Sequence, residues 1–275
     1  NQELKMNFAL VCILAFCCVG LNNAYGTWRV INGSEAIMHE YPSIVSIKIY
    51  RSSHFCGGTL VNRNTILTAA HCVYNFKHYS SSMLQQYGIV AVMGEHELNR
   101  ASGKERVVPI TQIIIPAAYN SPSAFVRGND IALLKLARNV VEEDHVKMVQ
   151  VPRQGMEPSS PGQQCTVVGW GSMDPRGGSV AHVLQKADLT IMSNNDCGNV
   201  FYYTRNNPSN VCAGSGRLST SACKGDSGGP LFCRNSNGIV QVGVVSYGKV
   251  PCGQSHTPTV FTRVSNFASW MNSYL

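Results

Sequence analysis

Short runs of apolar or alternating residues, broken by polar stretches, recur along this chain. In residues 43–50, Val45, Ile47 and Ile49 oppose Ile44, Ser46, Lys48 and Tyr50, the pattern of a strand with one face toward a core. Residues 56–61 predict a second short strand after a turn. Residues 65–72 predict a third, apolar one that ends in His71. Residues 88–94 and 107–115 read as strands, separated by polar loops at 74–87 and 95–105. Residues 129–136 open with Asn129 and Asp130 and then turn apolar. After a stretch rich in proline and glycine at 151–164, residues 165–171, 183–191 and 240–247 are strand-like again. Helical spacing is clear at the end, where Phe267, Trp270, Met271 and Tyr274 recur at i, i+3, i+4 and i+7. Many short strands, Gly/Pro turns and one closing helix predict a mostly-β architecture in two halves joined near 151–164.

The N-terminal region follows a different pattern. Residues 8–21 are apolar and uncharged, 14 residues where a membrane span needs about 20. They match the apolar region of a secretory signal, with cleavage after Gly20 or Ala24. Met6 is the expected start, with residues 1–24 as the signal, 25–29 as a short propeptide and 30–275 as the folded domain. Arg29, followed by Val30 and Ile31, is the type of site that an arginine-specific protease cuts. Asn32-Gly33-Ser34 is the one glycosylation sequon, and it crowds that cut.

Eleven cysteines is an odd number, but three of them (Cys12, Cys17 and Cys18) fall in the signal. Eight remain, which in a secreted chain reads as four disulfides; eight cysteines permit 105 pairings. No C-x-x-C pair occurs, so a zinc site is not expected. The chain is 44% hydrophobic and 13% charged, with a net charge of +7 and no run of five basic residues. That is a solvated basic surface with a weak leaning toward acidic partners, not a nucleic-acid binding surface.

Three places carry candidate chemistry. In Ala222-Cys-Lys-Gly-Asp-Ser-Gly-Gly-Pro-Leu231 the glycines let the backbone turn tightly around Ser227. Such a turn exposes the hydroxyl and lets the Gly225 and Ser227 amides converge on one point, as a developing oxyanion requires. His71 follows a buried apolar run and precedes a cysteine able to pin it. Asp130 is the one of six aspartates that leads straight into apolar sequence, where a lone charge needs a partner.

Leu67-Thr-Ala-Ala-His-Cys72, Asn129-Asp-Ile-Ala-Leu-Leu134 and Gly225-Asp-Ser-Gly-Gly-Pro-Leu231, in that order, resemble the chymotrypsin/trypsin-like secreted serine proteases over residues 30–275. The resemblance implies an all-β fold of two packed antiparallel six-stranded β-barrels with a C-terminal α-helix, and an active site in the cleft between them. It implies that Ser227 is the nucleophile, His71 the base and then acid, and Asp130 the residue that orients His71. After cleavage at Arg29, the Val30 amine would pair with Asp226 and order the Gly225 and Ser227 amides. It also implies the disulfides Cys56–Cys72, Cys165–Cys233, Cys197–Cys212 and Cys223–Cys252. No cofactor or metal is implied for the reaction. The partners are polypeptide substrates, an activating trypsin-like protease and protein protease inhibitors; the mature chain is expected as a monomer away from the membrane.

The resemblance places Ser221 at the floor of the substrate pocket, without the carboxylate that a cationic side chain would need. Gly248 leaves one wall open and Thr259 narrows another. The expectation is therefore cleavage after apolar residues, chymotrypsin-like or elastase-like. Tyr247 stands where the family usually has tryptophan, between Ser246 and Gly248, whose backbones would pair with substrate. Lys224 puts a positive charge at the pocket rim that favours acidic neighbours in the substrate. The 74–87 loop is expected to wall the cleft. Glu95 and Glu105 bracket a loop that binds calcium in some members, and it is read here as solvated. The competing function is a non-catalytic homologue that serves as a secreted binding module.

Overall fold

The computed structural model describes residues 31, 33–121, 127–154, 156, 159–214, 216, 219–236 and 238–275. The signal, Arg29, Val30 and the Asn32 sequon lie outside the described residues. In chain order the strands are β1 (Ser34–Glu35), β2 (Ile44–Ile49), β3 (Ser53–Asn62), β4 (Thr65–Thr68), β5 (Val90–Met93), β6 (Arg106–Ile114), β7 (Ala132–Leu136), β8 (Gln164–Gly169), β9 (Gln185–Met192), β10 (Asn210–Gly214), β11 (Pro230–Asn235), β12 (Gly238–Tyr247) and β13 (Thr259–Arg263). The helices are short: α1 (Ala70–Val73), α2 (Ser81–Gln86), α3 (Asn194–Val200) and α4 (Ala268–Asn272). None of the described helices is long and apolar enough to cross a membrane.

All strand pairs are antiparallel and close two six-stranded barrels. The first runs β2-β3-β4-β7-β6-β5 and back to β2; the second runs β8-β9-β10-β13-β12-β11 and back to β8, with β1 added along β9. Closure removes the exposed edges that an open sheet would present. Val45, Ile47, Leu60, Ile66 and Leu134 fill the first barrel, and Val167, Leu189, Val211, Leu231 and Phe261 the second. A third cluster lies between them, where Leu67, Ile131 and Leu133 of the first half meet Val244, Val264, Phe267 and Met271 of the second. The closing helical segment is a 3-10 turn, Val264–Phe267, leading into α4, and it seats Phe267 and Met271 on that seam.

Two local expectations change. Residues 74–87 are not an open loop: a 3-10 turn (Tyr74–Phe76) leads to α2, capped by the Ser80 hydroxyl accepting from the Met83 N–H at 3.3 Å, with Leu84 fully buried. Only one apolar anchor holds this helix, too little to show as a period in a 14-residue polar stretch. Strand β2 is buried on nearly its whole length, including Ser46 and Lys48 on its polar face. That face is covered, because Ser46 bonds His54 and Lys48 pairs with Glu95 at 2.6 Å.

Candidate active site

His71 does not end a strand. β4 stops at Thr68, and His71 lies on the single turn α1, whose Val73 is buried and whose Cys72 is bonded to Cys56. Asn129, at a φ of 62°, turns the chain so that Asp130 enters the interior. There the carboxylate is fully buried and fully occupied. Its Oδ1 accepts the His71 backbone N–H at 2.9 Å; its Oδ2 bonds His71 Nδ1 at 2.7 Å and accepts the Ser246 hydroxyl at 2.5 Å. The Thr262 hydroxyl donates to the Asp130 carbonyl at 2.8 Å. A buried charge is tolerated when several donors surround it. Here two donors come from the first barrel and the rest from β12 and β13, so the pair sits at the seam.

Ser227 approaches from the second barrel. Gly228 follows it at a φ of 77°, and a Cβ there would lie 2.2 Å from Thr68 Oγ1, 2.6 Å from the Gly57 carbonyl and 3.1 Å from the Ala69 nitrogen. The Gly57 N–H donates to the Ser227 carbonyl at 2.8 Å. The serine turn is therefore pressed against the chain just before the helix that bears His71. No hydrogen bond joins Ser227 Oγ to His71 among the described residues; the two are brought to one place by backbone packing. The Gly225 and Ser227 N–H groups donate to no backbone carbonyl among the described residues.

Asp226, between those two amides, turns inward. Its Oδ1 accepts the Gly171 N–H at 2.7 Å and its Oδ2 the Cys223 N–H at 2.9 Å. Only glycine fits beside it, since a Cβ on Gly171 would lie 2.0 Å from Oδ2. Burial pushes the Asp226 carboxyl up to about 6, against the opposing effect of the two amides. Ile31 is buried against the Cys223–Cys252 disulfide, and a Cβ on Gly253 would come within 2.2 Å of its Cγ2. The other two bridges are Cys165–Cys233, between β8 and β11, and Cys197–Cys212, between α3 and β10.

His54 belongs to this site although no sequence reasoning marked it. It sits on β3 with Nδ1 2.8 Å from the Ser46 hydroxyl and Nε2 3.0 Å from the Gly225 carbonyl. Ser46 donating to Nδ1 leaves the proton on Nε2, which donates to Gly225. Burial pushes the ring down to about 4, so it is neutral near pH 7. The first barrel thereby holds the peptide between Gly225 and Asp226. A histidine two residues before Cys56-Gly57-Gly58 carries no mark of this in sequence, because its partner lies 171 residues away.

Beside Ser227 opens a hollow of about 170 Å³, lined by apolar groups such as Ala222, Val245 and Val250 together with Lys224, Ser246, Tyr247, Gly248, Lys249 and Thr259. Among the described residues nothing lies within 4 Å of where a Gly248 Cβ would be. The Thr259 hydroxyl accepts the Ala222 N–H at 3.2 Å. Ser221 lies buried behind the lining, its Oγ accepting the Gly253 N–H at 2.8 Å. Lys249 and Val250 were not singled out by the sequence.

The 95–105 loop is not simply solvated. Glu95 is buried against the Lys48 ammonium, and burial pushes its carboxyl up despite that partner. Glu105 accepts from the Ser102 N–H and hydroxyl, both at 2.7 Å, and from the Gly103 N–H at 2.9 Å. A lysine fills the place of a cation at Glu95, and calcium wants six to eight oxygens. These residues do not fit a calcium ion.

The trypsin family model matches residues 30–271. Chymotrypsin-like elastase family member 1 of Rattus norvegicus is 35% identical over 252 residues, covering 90% of each chain. The Homo sapiens protein of that name is 36% identical over 256 residues, covering 90% of this chain and 92% of its own. Granzyme B of Rattus norvegicus is 33% identical over 246 residues, covering 88% and 90%. With two closed barrels, a histidine–aspartate pair at their seam and a serine turn pressed against it, this chain belongs to the chymotrypsin/trypsin-like serine protease family.

Proposed function

We propose that the protein is a secreted serine endopeptidase, made as a zymogen and activated by cleavage after Arg29, that cuts polypeptides after apolar residues. The observation that carries this is the Asp130–His71 pair at 2.7 Å beside the Ser227 turn. His71 Nδ1 donates to Asp130, which leaves the Nε2 lone pair, 3.8 Å from Cys72 Sγ, to act as a base. Nε2 takes the Ser227 proton as Oγ attacks the scissile carbonyl, and the carbonyl oxygen gains negative charge. The Gly225 and Ser227 N–H groups donate to it, and Asp130 stabilises the imidazolium. His71 then gives its proton to the leaving amine, and water reverses the steps on the acyl-enzyme. Protein inhibitors that occupy the same cleft would compete with substrate.

The pocket supports an apolar preference. Among the described residues it holds no carboxylate to meet a cationic side chain, and Thr259 narrows it toward the elastase-like side, in keeping with the elastase relatives. Thr259→Gly is expected to raise the Phe-to-Ala ratio of kcat/KM about tenfold, the scale of one or two carbon atoms in an apolar pocket. Thr259→Ser, which keeps the hydroxyl for Ala222, should move it less. Steady-state kinetics on matched peptides check this, and an unchanged ratio would remove Thr259 from the pocket wall. The function itself is tested by activity on peptides ending in Phe, Leu, Ala or Arg, before and after trypsin treatment. Apolar hydrolysis should appear with cleavage at Arg29. Silence despite that cleavage would instead favour a binding homologue.

His54 is proposed as a positioning residue. His54→Leu should lower kcat between about five- and 100-fold with little change in KM, through a loosened Gly225 amide. Because the ring is depressed below its unfolded value of 6.5, it contributes stability that is present above pH 6.5 and lost as pH falls toward 4. The stability difference between wild type and His54→Leu, read in denaturant titrations at pH 4–6.5, should shrink toward acid as that contribution is lost. A purely structural residue would lower the melting temperature without moving kcat.

A further inference from the structure

Two lysines stand at the mouth of the hollow beside Ser227. Lys224 directly precedes Gly225, and Lys249 follows Gly248; both are exposed and both line the hollow. Each is held by a neighbouring element. The stem of Lys224 lies over Gly177, where a Cβ would fall 2.3 Å from Lys224 Cδ and 2.8 Å from Cγ and Cε. Its carbonyl accepts the Ser172 N–H at 2.7 Å. The Lys249 ammonium lies 5.9 Å from the Phe201 ring centroid, and Phe201 in turn packs edge-on against Tyr247 at 5.4 Å. Neither lysine enters an ion pair among the described residues, and no carboxylate lines the hollow. Two cations thus stand around an apolar opening, and neither is paired with a carboxylate among the described residues. Charge of this kind at a rim acts on the choice of partner and on its approach.

We infer that the site selects polypeptides in which acidic side chains lie within about three residues of the apolar residue that enters the hollow, on both sides of it. This rests on the reading of the hollow as the substrate pocket. It extends that reading from one pocket to a substrate class: an apolar residue in an acidic setting.

The test is a pair of peptides, identical except for Glu or Gln at the flanking positions, with Leu or Ala as the residue cut. On the cleaved protein, kcat/KM should favour Glu about fivefold to tenfold at low salt, the scale of two exposed ion pairs. That ratio should fall toward one near 1 M salt, where charges are screened within about 3 Å. The ratio within each variant is its own control: Lys224→Gln/Lys249→Gln should bring it near one, and Lys224→Glu/Lys249→Glu should reverse it in favour of Lys-flanked peptides. The same peptides bound to Ser227→Ala protein, read by fluorescence anisotropy, give the preference without any chemistry. Selective binding with no hydrolysis by the wild type would overturn the enzymatic reading and leave the acidic preference standing. A Glu-to-Gln ratio near one in both assays at low salt would overturn the inference, as would a ratio that persists in the double Gln variant.

Discussion

On the protein cleaved after Arg29, Ser227→Ala is expected to lower kcat by about six orders of magnitude, and His71→Ala by a similar factor, with the double variant no worse than either alone. That is the size of effect in comparable triads. The geometry gives the reason for non-additivity. Ser227 without a base is a weak nucleophile, and His71 without Ser227 has no proton to take. The serine turn lies against the chain just before His71 because Gly228 packs on Thr68 and Ala69, a contact that neither substitution removes. Both variants should therefore keep their melting temperatures while losing turnover. Retention of more than about one per cent of wild-type kcat by Ser227→Ala would exclude Ser227 as the nucleophile.

Asp130→Asn tests the same arrangement from its buried end. The carboxylate meets only donors: the His71 N–H at one oxygen, His71 Nδ1–H and the Ser246 hydroxyl at the other. An amide offers an NH2 at one of those positions. Facing Nδ1, it would force the proton onto Nε2 and remove the base; facing the backbone, it would oppose one donor with another. Either way kcat should fall by about four orders of magnitude. Activity titrations between pH 5 and 9 would show whether the surviving activity has lost its histidine limb.

The sequence makes the serine turn, His71 and Asp130 visible because each lies in a local run whose composition is unusual. Strand β2 was visible as alternation over six residues, and β6 as a long apolar run. β10, β11 and β13 were not. Asn210–Gly214, Pro230–Asn235 and Thr259–Arg263 mix glycine, proline, cysteine and polar residues, and they are strands only because neighbouring strands pair with them on both sides. The covered polar face of β2 shows the same limit at the level of single side chains. Lys48 reads as a solvent-facing position until Glu95 lies beside it. His54 and Lys249 gain their meaning from Gly225 and Phe201, residues far along the chain or on another element. What one stretch of sequence cannot show is the identity of the residue that the fold sets opposite it.

Asp226→Asn is expected to cost at least about a thousand-fold in kcat/KM after cleavage, and Arg29→Gln should leave the chain as inactive as the uncut protein. Among the described residues the Asp226 carboxylate has two backbone amides as partners, and burial still pushes it up to about 6. A group raised in the folded state binds more protons there than in the unfolded chain. Stability of the uncut protein should therefore fall as pH rises from about 4 to about 6, by about 3 kcal/mol if the whole shift is realised. His54 acts in the opposite sense over an overlapping window, so wild type should look nearly flat and the two variants should diverge. Asp226→Asn should lose stability toward acid, and His54→Leu toward neutrality. Cleavage changes the balance: a Val30 ammonium, one residue from the buried Ile31, would give the carboxylate a cation and pull it back down toward its ordinary value. The Gly225 and Ser227 amides flank that carboxylate, so the same pairing would aim both donors, each worth about 3 kcal/mol in the transition state. Asparagine cannot pair with an ammonium as a carboxylate does, and its NH2 would face the Gly171 or the Cys223 N–H. Gly171→Ala should act like Asp226→Asn, since its Cβ would occupy the place of Oδ2. The checks are kcat/KM with the new N-terminus confirmed by mass, and denaturant titrations at pH 4, 5 and 6 before and after the cut. Full activity in a cleaved Asp226→Asn protein would separate the cut from this carboxylate and leave activation to some other contact.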